Sequence, residues 1–205
     1  MLDSYTLTEC PHCHQDLTTI SASGEQQILC NLKNEGGLQQ GLDILPLLTE
    51  ETYLKAYPEE RKGQAFLEFC REGDLEAIVD LLNDEEDRSG DEIDILRYQD
   101  SIRSMDSGLH VAVKMGKPEI AWLLLLLASN LDPLALPHDV ISTSESLGLQ
   151  REAQDGKSDI RTLRDAEEMT AEQRAAATGG MWEEWVRLGR LKPPEKVSYI
   201  GRSMC

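Results

Sequence analysis

The sequence predicts an all-α chain built from short helix–turn–helix units, and three observations carry that prediction. Residues 107–125 read as one helix stopped by Gly116 and a second opened by Pro118. Residues 65–82 repeat the same logic around Gly73. Aromatic residues are only 5% of the 205-residue chain, which suits helical cores of Leu, Ala, Ile and Val better than a sheet sandwich.

Along the chain, residues 1–48 have no clear helical period, carry Cys10, Cys13 and Cys30 and contain the Gly36-Gly37 turn, so an irregular N-terminal extension is expected. Thr49-Glu50-Glu51-Thr52 resembles a helix cap with acids at the positive dipole end, which predicts a short helix over 49–57 before Pro58 interrupts it. The repeat region runs to residue 190. Between its first two units lies an acidic insertion, 84–100, with Asp84, Glu85, Glu86, Asp87, Asp91, Glu92, Asp94 and Asp100 against Arg88 and Arg97. In the second unit Gly116 supplies a left-handed residue that ends a helix at no steric cost, and Pro118 suits the first turn of the next. The five leucines of 123–127 point all round a helix, so Trp122 and Leu126, on its outer side, need a cover; the N-terminal fifty residues are the expected source. Residues 191–205 form a tail that continues a basic stretch begun at Arg187.

The stretch Ser107-Gly108-Leu109-His110-Val111-Ala112-Val113-Lys114-Met115-Gly116 resembles the ankyrin repeat, and residues 65–82 resemble the capping repeat that opens such arrays. Asp165, Thr170-Ala171, Ala175-Ala176 and Gly179 fall at that family's spacing for its aspartate, Thr-Pro, Ala-Ala and glycine. The resemblance implies a short solenoid of two to four repeats and a role in protein recognition. It also implies that His110 bridges backbone groups of adjacent hairpins as a structural residue. The chain departs from the pattern where Gly108 replaces the proline, Met105 the preceding hairpin's glycine and Ile102 its aspartate. The glycines lie 43 and 63 residues apart, against a regular advance of about 33, so insertions are required. Residues 130–164, with Gly148 near a repeat's glycine position, are either a degenerate repeat or a long ordered loop.

Thirty-eight acidic against twenty basic residues give a formal charge of −18, which argues against direct nucleic-acid binding and for a basic protein partner. The opening residues lack a basic start and an apolar core, and no apolar run reaches a membrane span, so a cytoplasmic or nuclear protein is expected. Cys10-Pro11-His12-Cys13-His14 matches haem-attachment and thiol-oxidoreductase patterns, but in the wrong contexts for either. Zinc bound by Cys10, Cys13, Cys30 and His14 (or His12) is the better functional reading of the cluster, although a second Cys-x-x-Cys is missing. No hydrolase elbow, phosphate loop, zincin helix or dinucleotide fingerprint occurs. The expected function is therefore a non-enzymatic adaptor or dedicated chaperone without a cofactor. Its contact residues would be Arg103, Ser104, Asp106, Lys114 and Met115, with Asp84, Glu85, Glu86, Asp87, Asp91, Glu92 and Asp94 steering a cationic ligand. The alternative is a zinc-binding or thiol-redox-responsive module built on the N-terminal cysteines.

Overall fold

Residues 19–43 overturn the all-α expectation, because they form two small antiparallel sheets. Strand β1 (Thr19–Ile20) pairs with β2 (Gln26–Gln27), and β3 (Leu29–Asn34) pairs with β4 (Gly37–Asp43). The computed structural model describes residues 8–10, 12–83, 93–153 and 156–194. The turn between β3 and β4 is set locally: Asn34 Oδ1 accepts the Gly36 N–H at 3.0 Å and Gly37 takes a φ of 126°. At the β3 bulge, Asn31 Oδ1 accepts the Gly41 N–H at 3.0 Å, so a side chain replaces a ladder bond. Within the expected irregular extension, residues 19–43 are therefore largely strand and turn.

The chain divides into two compact units, Met1–Arg61 and Lys62–Cys205. In the first, helix α1 (Leu45–Ala56) follows the hairpin. It starts earlier than the Thr49 cap suggests, since Pro46 occupies its first turn and Thr49 Oγ1 instead donates to the Leu45 carbonyl at 2.8 Å inside the helix. A 3-10 turn at Pro58–Glu60 then leads into α2.

The second unit holds three helix pairs: α2 (Arg61–Glu72) with α3 (Leu75–Asn83), α4 (Gly108–Lys114) with α5 (Pro118–Ala128), and α7 (Ala171–Thr178) with α8 (Glu183–Arg187). Gly73, Gly116 and Gly179 sit at the three bends with φ of 81°, 65° and 69°. Phe66 of α2 lies against Gly108 of α4, where a Cβ would meet its ring at 2.8 Å. That contact accounts for the glycine where the ankyrin pattern has proline. Helix α7 also packs against α4. Ala112 and Ala175, at equivalent positions, are both fully buried.

Helix α5 is buried along its whole leucine run, Leu123 to Leu127. Within the second unit its cover comes from α8 and α6. Trp122 stacks on Trp185 of α8 at a ring separation of 4.2 Å, with the Arg190 guanidinium 4.9 Å above its ring, and helix α6 (His138–Ser146) packs against α5. Among the described residues, 130–164 carry one α-helix, α6, followed by Gly148 (φ 73°) and lying between 3-10 turns at Pro133–Ala135 and Ile160–Thr162.

Candidate partner-binding surface

The residues before α4 and before α7 form two hairpin loops that lie side by side. Each begins after an Asp-Ile step: Asp94-Ile95 and Asp159-Ile160 both open a 3-10 turn, at Ile95–Arg97 and Ile160–Thr162. Each then reaches an aspartate that folds the loop. Asp100 Oδ1 accepts the N–H groups of Ile102 and Arg103, both at 3.1 Å, and Asp165 Oδ1 accepts those of Glu167 and Met169 at 2.9 and 3.1 Å. Each loop passes through one non-glycine residue in the left-handed region, Met105 (φ 53°) and Glu168 (φ 59°). The loop aspartate is therefore Asp100 and not a residue missing at Ile102: the first loop is two residues longer than the second, which displaces the aspartate from its expected spacing.

The loops are joined by hydrogen bonds. The Ala166 N–H donates to the Ser104 carbonyl at 2.9 Å, and Gln99 Nε2 donates to the carbonyls of Met105 (2.8 Å) and Arg164 (2.7 Å). His110, fully buried, places Nε2 2.9 Å from the Met169 carbonyl and Nδ1 2.8 Å from Ser107 Oγ. A carbonyl can only accept, so Nε2 carries the proton and Nδ1 accepts from the hydroxyl. Burial pushes the His110 pKa below its usual value, against the opposing pull of the Met169 carbonyl and of Asp106 and Asp165. In the second loop burial pushes the Asp165 carboxyl up. Arg174, whose Nε lies 2.5 Å from Oδ2, and the N–H groups of Met169 and Glu167 outweigh this and hold its pKa at about 2. Further back, Asp159 and Arg161 form a buried two-bond ion pair at 2.9 and 2.7 Å, and Asp159 also accepts the Asn130 N–H.

This geometry sorts the residues singled out from sequence. Ser104, Asp106 and Lys114 bond to one another: Ser104 Oγ donates to Asp106 Oδ2 at 2.5 Å, and Lys114 Nζ lies 2.7 and 2.8 Å from the two carboxylate oxygens. They brace the first loop against α4. Arg103 and Met115 are exposed on the surface. Asp94 pairs with Arg97 at 2.9 Å and Lys157 at 3.6 Å, within a cluster that includes Glu152. Asp84, Glu85, Glu86, Asp87, Asp91 and Glu92 lie outside the described residues.

Sequence reasoning missed Met105, Met181, Glu167 and Glu168, which the rim also presents to solvent. The Met181 sulfur lies beside Gly116, next in sequence to exposed Met115. Glycine alignment could have found the neighbouring positions on α7, because Ala177 and Thr178 precede Gly179 as Lys114 and Met115 precede Gly116, and both are exposed. Of the metal candidates, Cys10 and Cys13 share a turn, Cys30 stands on β3, and no group of three or more His, Cys, Asp or Glu side chains fit to hold a metal forms among the described residues. Among the same residues no helix is long and apolar enough to cross a membrane.

No protein-family model, no curated protein and no solved structure matches this chain.

Proposed function

We propose that the second unit is a non-enzymatic protein-recognition module of the ankyrin-repeat kind, acting as an adaptor or dedicated chaperone for a basic protein partner. The observation that carries this reading is the pair of loops braced by His110, Gln99 and the Ala166–Ser104 bond. Rigid loops lose little conformational entropy on binding, so their exposed side chains convert contact into affinity. Those side chains include three methionines, Met105, Met115 and Met181, whose flexible thioethers adapt to an apolar contact. Glu167, with a side chain 71% exposed, and Glu168 add negative charge beside them. The net charge of −18 favours encounter with a cationic protein over a nucleic acid.

The test is affinity capture from cell extract with the wild-type chain and with a Met105→Glu/Met115→Glu variant, read by mass spectrometry. A dominant basic protein retained by the first bait, released by salt and lost by the second supports the reading, given an unchanged helical spectrum. Recovery of the same proteins by both baits overturns it.

A further inference from the structure

The N-terminal cysteine pair sits on one tight turn closed by backbone hydrogen bonds. The flanking residues run antiparallel, with a bridge between Glu9 and Asp16 and the Leu17 N–H donating to the Thr8 carbonyl at 2.8 Å. Within the turn the Cys10 N–H donates to the Gln15 carbonyl and the His14 N–H to the Cys10 carbonyl, both at 2.9 Å, and His14 takes a left-handed φ of 57°. The Cys13 thiol donates to Gln15 Oε1 at 3.7 Å. A Cys-x-x-Cys pair on one such turn has the ligand spacing of a structural zinc site.

We propose that Cys10 and Cys13 are half of a tetrahedral thiolate site for zinc, and that a second copy of this chain completes it with the same pair. A thiol redox pair of this spacing works from a helix N-terminus. Here the pair lies on a turn between antiparallel segments, and among the described residues the first helix begins at Leu45. A closed structural zinc site takes four ligands. No third donor joins the pair among the described residues. Cys13, His12 and His14 are exposed, so the pair is open to a ligand from outside the chain. A two-fold axis through the metal supplies two further thiolates from the identical turn, giving an isologous contact and a four-sulfur shell. The surrounding unit has a use for such a link. Its buried apolar side chains are Ile28 and Leu54 alone among the described residues, while Ile20, Leu29, Leu32 and Leu38 stand exposed on its strands. Units this small and this thinly cored are commonly completed by a metal or by oligomerisation.

This proposal does not depend on the recognition reading, and its test reads metal and mass rather than partner capture. The reduced, metal-free, full-length chain is titrated with zinc sulfate, with bound zinc followed by elemental analysis and molar mass by light scattering. The expected result is about half an equivalent of zinc per chain with a doubling of mass. Cys10→Ser and Cys13→Ser each lose both effects, whereas Cys30→Ser, Cys205→Ser and His14→Ala keep them. Cobalt in place of zinc gives the absorption of a tetrahedral four-thiolate complex in wild type. Helical circular dichroism checks that each variant is folded, and the cobalt spectrum of wild type tests the four-sulfur shell without any substitution. One equivalent of zinc on a monomer, a dimer that forms without metal, or no zinc bound at micromolar free metal overturns the proposal.

Discussion

Residues 62–194 bury twenty-eight apolar side chains in one continuous cluster, from Phe66 on α2 to Leu191 beyond α8, whereas the described part of residues 1–61 buries only Ile28 and Leu54. Both stretches contain regular secondary structure, so secondary structure alone does not separate them. The difference is layering. In the second unit α4 packs against both α5 and α7, and α5 is covered by α4, α6 and, through Trp122 and Trp185, α8. In the first, the β3–β4 hairpin has no further strand paired to it among the described residues, and nearly every residue on both strands is exposed. A two-stranded ribbon in water is marginal by itself. Ordering a residue costs about 1–2 kcal/mol, and two buried side chains offset little of that.

The sharpest way to break this comparison is to remove a core side chain. Phe66→Ala should cost about 3–5 kcal/mol and lower the melting temperature of the helical signal by many degrees; a change under one degree would show that the α2–α4 contact contributes little. The same contrast predicts that limited proteolysis cuts within residues 8–44 before it cuts within 108–128, since cleavage follows local opening. A first cut in α4 or α5 would reverse the ranking.

Ion pairs sharpen the comparison within the second unit. Asp165→Asn can keep an oxygen for the Glu167 and Met169 N–H groups but replaces the charged acceptor facing Arg174 with an amide donor, at about 1.5–3 kcal/mol. Asp94→Asn, at a more exposed pair, should cost under about 1 kcal/mol; denaturant midpoints compare the two. Because the folded pKa of Asp165 is about 2, below the usual aspartate value, its contribution is complete above the unfolded pKa and is lost as pH falls towards 2. Gly116→Val forces a β-branched residue into a φ of 65° and should cost about 1–3 kcal/mol of backbone strain, measured by thermal unfolding.

The smallest effect is the most specific. The pKa of folded His110 lies below its unfolded value, so as pH drops below about 6.5 the unfolded chain takes up a proton that the folded chain does not, and stability falls. His110→Gln keeps a donor for the Met169 carbonyl and should remove this slope between pH 7 and 5. A slope unchanged in the variant would assign it to another group.

Much of the second unit was legible in sequence because its signals are local. A glycine that ends a helix announces itself wherever the chain needs a left-handed residue, so Gly73, Gly116 and Gly179 marked the bends. The loop aspartate was misplaced because two extra residues shift Asp100 from its expected position, although the spacing of 65 residues between Asp94-Ile95 and Asp159-Ile160, repeated between Asp100 and Asp165, was available as a guide. The strands of the first unit were missed because β3 and β4 carry exposed leucines on both faces, so no clean alternation marks them.

By itself the sequence determined where helices stop and which helix must be buried all round, since backbone conformation and the apolar run are properties of neighbouring residues. Only the tertiary structure decided what covers α5, that Ser104, Asp106 and Lys114 brace a loop, and that Asp159 pairs with Arg161 in the interior. Those outcomes depend on which segments come together across tens of residues, and the free energy of burial and pairing is fixed by that proximity rather than by any residue's neighbours in the chain.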